Sequence, residues 1–272
     1  MHAPAPHWTP ERIRHIVAAV LTAFILFGCR GNSPAEPNDG GNPAPRPRNR
    51  VLFIGNSLTL SNNLPAIVQA LAAAADTVPF SFEMIAYGGF ALEDHWVREE
   101  SHDAISRKQW DVVVLQQGMS GFDEGRANLI DYAGRYDTEI RAAGAVPALY
   151  AVWPPKDYPD YDNYFDRITE SYRLAAAEVD GLFLPVGEAW RNVLRRDSTI
   201  ALYSSDNLHP TLAGSYLAAL VMFQQLYDRS PVGLPSTLQL QPPLQGTLEI
   251  PPAVAAVLQA AAAEANEEFR RE

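Results

Sequence analysis

The stretch VLFIGNSLTLSNNLP, residues 51–65, decides the fold. Val51 to Ile54 is a run of four apolar residues, as in a short strand buried on both faces, and Gly55 with Asn56 permits the tight turn that ends it. Beyond the turn, Leu64, Ile67, Val68 and Leu71 recur at helical spacing, and Pro65 suits a first helical turn. Ser57 therefore lies on a strand-to-helix turn, where a hydroxyl can be exposed and a helix N-terminus can stabilise developing negative charge. Serine is equally ordinary as an N-cap, so a nucleophile here needs partners elsewhere in the chain.

The order of the remaining elements extends this reading. PFSFEMIA (79–86) reads as a strand ending at Tyr87-Gly88-Gly89, and ALEDHWVREESHDAISRKQW (91–110) has helical character. DVVVLQQG (111–118) is the strongest strand signal, followed by a helical region at 124–143, a strand in AVPALYAVW (145–153), a helix at 162–179 and the apolar GLFLPVG. Helices near 211–228 and 252–270 complete the chain. Continuous apolar strands alternating with longer amphipathic segments indicate a mainly parallel sheet covered on both faces, an α/β sandwich. In such sheets the ligand site lies beyond the carboxyl ends of the strands, so Ser57, Gly89, Gln117 and Trp153, each just past a strand end, are expected to face one crevice.

The flanking regions have different chemistry. Arg12, Arg14 and His15 precede IVAAVLTAFILFG (16–28), an apolar run with the length of a signal-peptide core. It ends in LFGC, which resembles the bacterial lipobox, with Cys29 as the lipidated residue, although Phe27 is bulkier than usual there. Residues 1–28 are thus expected to be a lipoprotein-type signal peptide, 29–50 a Pro/Gly-rich tether, and 51–272 the folded domain. The resemblance implies export and anchoring to a bacterial membrane, at the outer membrane or periplasmic face in a diderm host. Cys29 is the sole cysteine, which excludes a disulfide within one chain and a cysteine-based zinc site. Removal of 1–28 takes away Glu11, Arg12 and Arg14, leaving 19 basic and 31 acidic residues, a formal net charge of −12. That balance argues against nucleic acid, and leaves a lipid anchor as the expected membrane contact.

A serine nucleophile needs a base, a group to orient the base, and donors for the oxyanion. The segment YSSDNLHPTLAG offers Asp206 and His209, three residues apart just before a helix, where one short loop can present His209 to the serine while Asp206 fixes its tautomer. His95 and His102 sit in helical sequence beside Trp96 and Asp103 and are assigned surface or packing roles. FIGNSLT, YGGFAL, VVLQQG and DNLHP, in that order, resemble the successive blocks of the SGNH, or GDSL-like, hydrolases, over most of residues 51–226. The resemblance implies a three-layer α/β/α fold with a flavodoxin-like sheet and ester hydrolysis through a serine-bound acyl intermediate. On it, Ser57 matches the nucleophile, His209 the base, Asp206 its orienter, and Gly89 the glycine whose N–H joins that of Ser57 in the oxyanion hole. Asn56 stands where the family often has Asp. The third block departs from the usual Gly-x-Asn-Asp: either the Gln117 amide or the Ser120 hydroxyl takes the place of the third donor, and Gln117 is preferred.

The expected function is a serine esterase releasing small acyl groups, acetyl above all, from carbohydrate or cell-wall glycan, with no metal or organic cofactor. Trp153, with Tyr158, Tyr161 and Tyr164, is a candidate stacking wall for sugar, the alternative being that these aromatics pack on their own domain. A lipase or thioesterase and a noncatalytic glycan-binding module on the same scaffold are the competing readings.

Overall fold

The computed structural model describes residues 48–242 and 245–270. The expected signal peptide, Cys29 and nearly all of the tether lie outside the described residues.

The run at 51–54 is the centre of a parallel sheet. Strand β1 (Arg50–Gly55) has Val51, Leu52, Phe53 and Ile54 fully buried. It pairs on one side with β2 (Ser81–Ala86) and on the other with β3 (Val112–Leu115), which continues to β4 (Val146–Tyr150) and β5 (Leu182–Leu184). All four pairings are parallel, and the order β2-β1-β3-β4-β5 is that of a flavodoxin-like sheet. Chain direction across the sheet reverses between β1 and β3, so a crevice opens beyond their carboxyl ends. From Val51 to Ile54 in β1, and throughout β3, the residues are apolar because both faces are covered; β2 lies at the edge and is only half-buried.

Helices cover the two faces. On one, α2 (Leu64–Ala74), α7 (Val186–Arg196), α8 (Leu212–Tyr227) and α9 (Pro252–Glu268) pack together; on the other lie α3 (Leu92–Trp96), α4 (Glu99–Ser106), α5 (Asp123–Ala142) and α6 (Tyr161–Glu178). α6 shows why such segments fold here: Tyr164, Phe165, Ile168, Tyr172, Ala175 and Ala176 form one buried stripe at three- and four-residue spacing. α5 carries Asp123 and Glu124 in its first turn and Arg141 in its last, matching the helix dipole. A short helix, α1 (Ser57–Leu60), and a 3-10 turn at Ser61–Asn63 precede α2.

Three details differ from expectation. The helical stretch at 91–110 is two helices, because α3 buries Leu92 and His95 whereas α4 buries Ser101, Ala104 and Ile105, a phase that no single straight helix can supply. The chain is extended at Arg98 between them, and the Ser101 hydroxyl donates to the His95 carbonyl, 3.1 Å. The segment after β5 winds into α7, whose Val186, Ala189, Trp190 and Val193 fall at helical spacing. An antiparallel hairpin, β6 (Thr237–Leu240) with β7 (Gly246–Glu249), buries Leu238 and Leu248.

Candidate active site

The turn after β1 is built so that the Ser57 amide is left over. Asn56 is the N-cap of α1: its Oδ1 accepts from Leu58 N at 3.1 Å, and its carbonyl accepts from Thr59 N and Leu60 N, each at 3.0 Å. Of the first N–H groups of the helix, which have no intrahelical acceptor, that of Ser57 is not taken up by the cap. Gln116, fully buried at the end of β3, holds the turn from behind. Its Oε1 accepts from Asn56 N at 2.9 Å and Thr59 Oγ1 at 2.7 Å, and its Nε2 donates to Asn56 Oδ1 at 2.9 Å and to the Gln117 carbonyl. Both lone pairs and both protons of the amide are used. Gly55 fits because it lacks a side chain: a Cβ there would lie 2.5 Å from Thr59 Oγ1 and 2.6 Å from Gln116 Oε1. On the other side, His95 Nε2 donates to the Gly55 carbonyl at 2.8 Å; burial pushes this imidazole toward its neutral form.

The 204–211 segment brings the second half of the site. Asp206 Oδ1 accepts from Leu208 N at 3.0 Å and His209 N at 2.9 Å, a local turn closed by a side chain. Its Oδ2 is 2.6 Å from His209 Nδ1, and His209 Nε2 is 2.8 Å from Ser57 Oγ. With a carboxylate on Nδ1, that nitrogen carries the proton and Nε2 accepts from the serine hydroxyl. The His209 hydrogen bond, with the Leu208 and His209 amides, lowers the Asp206 pKa to about 2, so the orienting group is a carboxylate through the neutral range. The segment is tied down at several points: Ser204 N to His209 O at 2.8 Å, Lys156 N to Asn207 O at 2.8 Å, and Trp153 Nε1 to Leu208 O at 3.0 Å.

Trp153 is therefore not a substrate-lining residue. Its side chain is fully buried, stacked on Trp190 with ring centroids 3.7 Å apart, and it holds the loop that carries His209 from inside. The proposed wall of tyrosines is likewise turned inward: Tyr164 is buried against Tyr158, and Tyr161 shares a hydrogen bond with the Tyr203 hydroxyl at 2.8 Å. An aromatic in a Pro-rich loop found more apolar surface on its own domain than in solvent.

Gly89 sits at the third position of a turn from Tyr87 to Phe90, with φ +77° and Phe90 N bonded to Tyr87 O at 3.2 Å. A type II turn requires positive φ at that position, which glycine adopts without strain, and it leaves the Gly89 N–H outside the turn's own bond. Asn56 Nδ2 donates to the Phe90 carbonyl at 3.1 Å and so docks this turn on the nucleophile turn. Gln117, two residues beyond the end of β3, accepts from Leu92 N at its Oε1, 3.1 Å, and donates one Nε2 proton to Ser120 Oγ at 2.9 Å. The second Nε2 proton is spare among the bonds described. Ser120 is buried, and its own proton is directed to the Gly118 carbonyl at 3.3 Å. The two residues are thus unequal: Ser120 stands behind Gln117 and fixes its amide. Among the described residues, no cluster of three or more His, Cys, Asp or Glu side chains is arranged to hold a metal ion.

Sequence reasoning gave no site role to Gln116, and of the surface or packing roles assigned to His95 the structure shows the packing one, against the Gly55 carbonyl. The signal for Gln116 was present: a polar residue at the end of the most apolar strand must find buried partners.

No family model and no curated protein matches the chain. Solved structures do. A candidate SGNH hydrolase from Slackia heliotrinireducens is 29% identical, with a TM-score of 0.55 over 65% of this chain and 97% of that one. A DUF4886 family protein from Bacteroides uniformis is 20% identical, TM-score 0.62, over 82% of this chain and 96% of that one. Axe2, an acetylxylan esterase from Geobacillus stearothermophilus, is 18% identical, TM-score 0.53, over 65% and 94%. At their identities the last two bear on the fold alone. With its parallel sheet in the order β2-β1-β3-β4-β5 and helices on both faces, the chain has the α/β/α fold of the SGNH hydrolases.

Proposed function

We propose that this protein is a serine esterase that releases small acyl groups, acetyl above all, from carbohydrate. One observation carries the chemistry: Ser57 Oγ, His209 and Asp206 form a continuous chain of contacts at 2.8 and 2.6 Å. Ser57 Oγ attacks the ester carbonyl as its proton passes to His209 Nε2, and the resulting oxyanion accepts from the amides of Ser57 and Gly89 and from Gln117 Nε2. Collapse breaks the bond to the alcohol, which leaves with the proton held on His209. Water then attacks the acyl-serine carbonyl, giving a proton to His209 as its oxygen bonds to carbon; the acid departs and Ser57 regains its hydrogen. Every step is served by side chains and amides of the chain itself.

The ester class draws support from SGNH hydrolases and acetylxylan esterases among the structural neighbours. Axe2 variants described as catalytic alter one serine, one aspartate and one histidine, the same three residue types. The carbohydrate assignment rests on that neighbour's substrate, since the aromatic wall is absent. The test is Ser57→Ala against wild type, on p-nitrophenyl acetate, longer p-nitrophenyl esters and acetylated xylo-oligosaccharides. A rate loss on the order of 10⁴ or more is expected, with acetyl preferred over long chains and fluorophosphonate labelling confined to wild type. Turnover by Ser57→Ala overturns the mechanism; glycan binding without turnover by wild type assigns a binding module; preference for long chains assigns a lipase. We propose further, from the LFGC segment that resembles a lipobox, that Cys29 carries a lipid anchor; Cys29→Ser is then expected to abolish metabolic palmitate labelling.

A further inference from the structure

One side chain outside the reacting groups spans the two halves of the proposed triad. α1 is a single turn, closed where Ser61 Oγ donates to the Ser57 carbonyl at 2.7 Å. The next two residues, Asn62 and Asn63, are both left-handed, with φ +53° and +48°. Asparagine tolerates this region better than most residues, yet two in succession are a strained way to join two helices, and Asn63 makes no side-chain cap on α2. The reversal sends the Asn62 carboxamide away from its own helix and across to the chain that follows His209. Its Nδ2 lies 2.9 Å from Ser215 Oγ and 3.2 Å from the carbonyls of both Pro210 and Thr211.

The result is a closed circuit. Ser57 is held by one helical turn to Asn62, Asn62 is bonded to Pro210, and Pro210 is joined to His209, whose Nε2 returns to Ser57 Oγ. The other ties on the 204–211 segment run to Trp153, Lys156, Asp157, Ala201, Leu202, the first turn of α8 and the segment itself, none of them to the nucleophile turn. Among the hydrogen bonds described, those of Asn62 and the one from Ser57 itself are what join the nucleophile segment directly to the base segment. The bond from Ser57 breaks during acyl transfer; those of Asn62 can persist throughout.

We infer that Asn62 is a positioning residue that sets the distance between Ser57 and His209 through both steps of the reaction. This rests on the esterase reading above. Asn62→Gly accepts the left-handed backbone while removing the amide, and Asn62→Asp keeps the shape but supplies no proton to the two carbonyls. With p-nitrophenyl acetate, and with active sites counted by fluorophosphonate titration, both variants lose kcat by roughly 10- to 100-fold, as expected when reacting groups drift by a fraction of an ångström. KM stays within about twofold, because the groups that would bind the ester are untouched. Thermal unfolding followed by circular dichroism reports the folded fraction separately. Wild-type kcat per titrated site in either folded variant overturns the inference, as does a loss that only matches the folded fraction. Wild type that neither hydrolyses the ester nor labels at Ser57 strikes the esterase reading itself.

Discussion

At the scale of single residues, the site is a set of amides whose hydrogen-bonding capacity is almost fully committed, and function is assigned to what is left over. Gln117 retains one proton while Ser120 retains none. Gln117→Ala is expected to lower kcat by roughly 10²- to 10³-fold with little change in KM, since the lost bond is strongest at the tetrahedral oxygen. Ser120→Ala frees the Gln117 amide to rotate and costs less, on the order of tenfold. Steady-state kinetics of both variants check the ranking, and the reverse order would assign the donor to the hydroxyl. Asp206 gives a prediction in pH. Its carboxyl is held at about 2 by His209 and two amides, so its contribution to stability is complete above the ordinary carboxylate range, about 3.9, and is lost only as the pH falls toward 2. Any fall in rate above pH 4 therefore does not come from protonation of Asp206. Asp206→Asn keeps an oxygen for the Leu208 and His209 amides but loses the carboxylate at Nδ1, and kcat is expected to drop on the order of 10⁴-fold. A pH–rate profile of both forms tests this.

At the scale of elements, what the sequence makes legible is what repeats or stands alone. Val51–Ile54 and Val112–Leu115 are readable as strands because each is apolar without interruption, and the triad candidates are readable because Asp206 and His209 lie on one loop. What escapes is set by tertiary contact. The division between α3 and α4 depends on which face each buries, and Trp153 points inward because Trp190, on the unforeseen helix α7, offers it a ring to stack on. The Gln116 network belongs to the same class: three of its four bonds tie the end of β3 to Asn56 and Thr59 in the turn after β1, and they are invisible in either strand alone. Gly55→Ala tests that junction. A methyl at 2.5 Å from Thr59 Oγ1 and 2.6 Å from Gln116 Oε1 forces both away, with an expected destabilisation of about 1–3 kcal/mol and a fall in kcat larger than the fall in folded fraction. Denaturant titration with activity measured on the same samples separates the two.

At the scale of the whole molecule, Ser57 and His209 stand 152 residues apart in sequence and 2.8 Å apart in space. Between them run β2, β3, β4, β5 and all the helices from α2 to α7. No fragment that lacks part of that span can hold the pair in register, and long-range pairing of parallel strands is the slow part of folding. Ester hydrolysis is thereby a clock for the last tertiary event. During refolding from denaturant, the far-ultraviolet helical signal should return first and turnover later, in step with the burial of Trp153 and Trp190 that closes the base loop. Hydrolysis that recovers together with helix content would show the two ends meeting before the sheet is complete. A protein assembled in this order is chemically silent until its chain is fully committed, so a nascent or partly unfolded copy passing among acylated molecules cuts none of them.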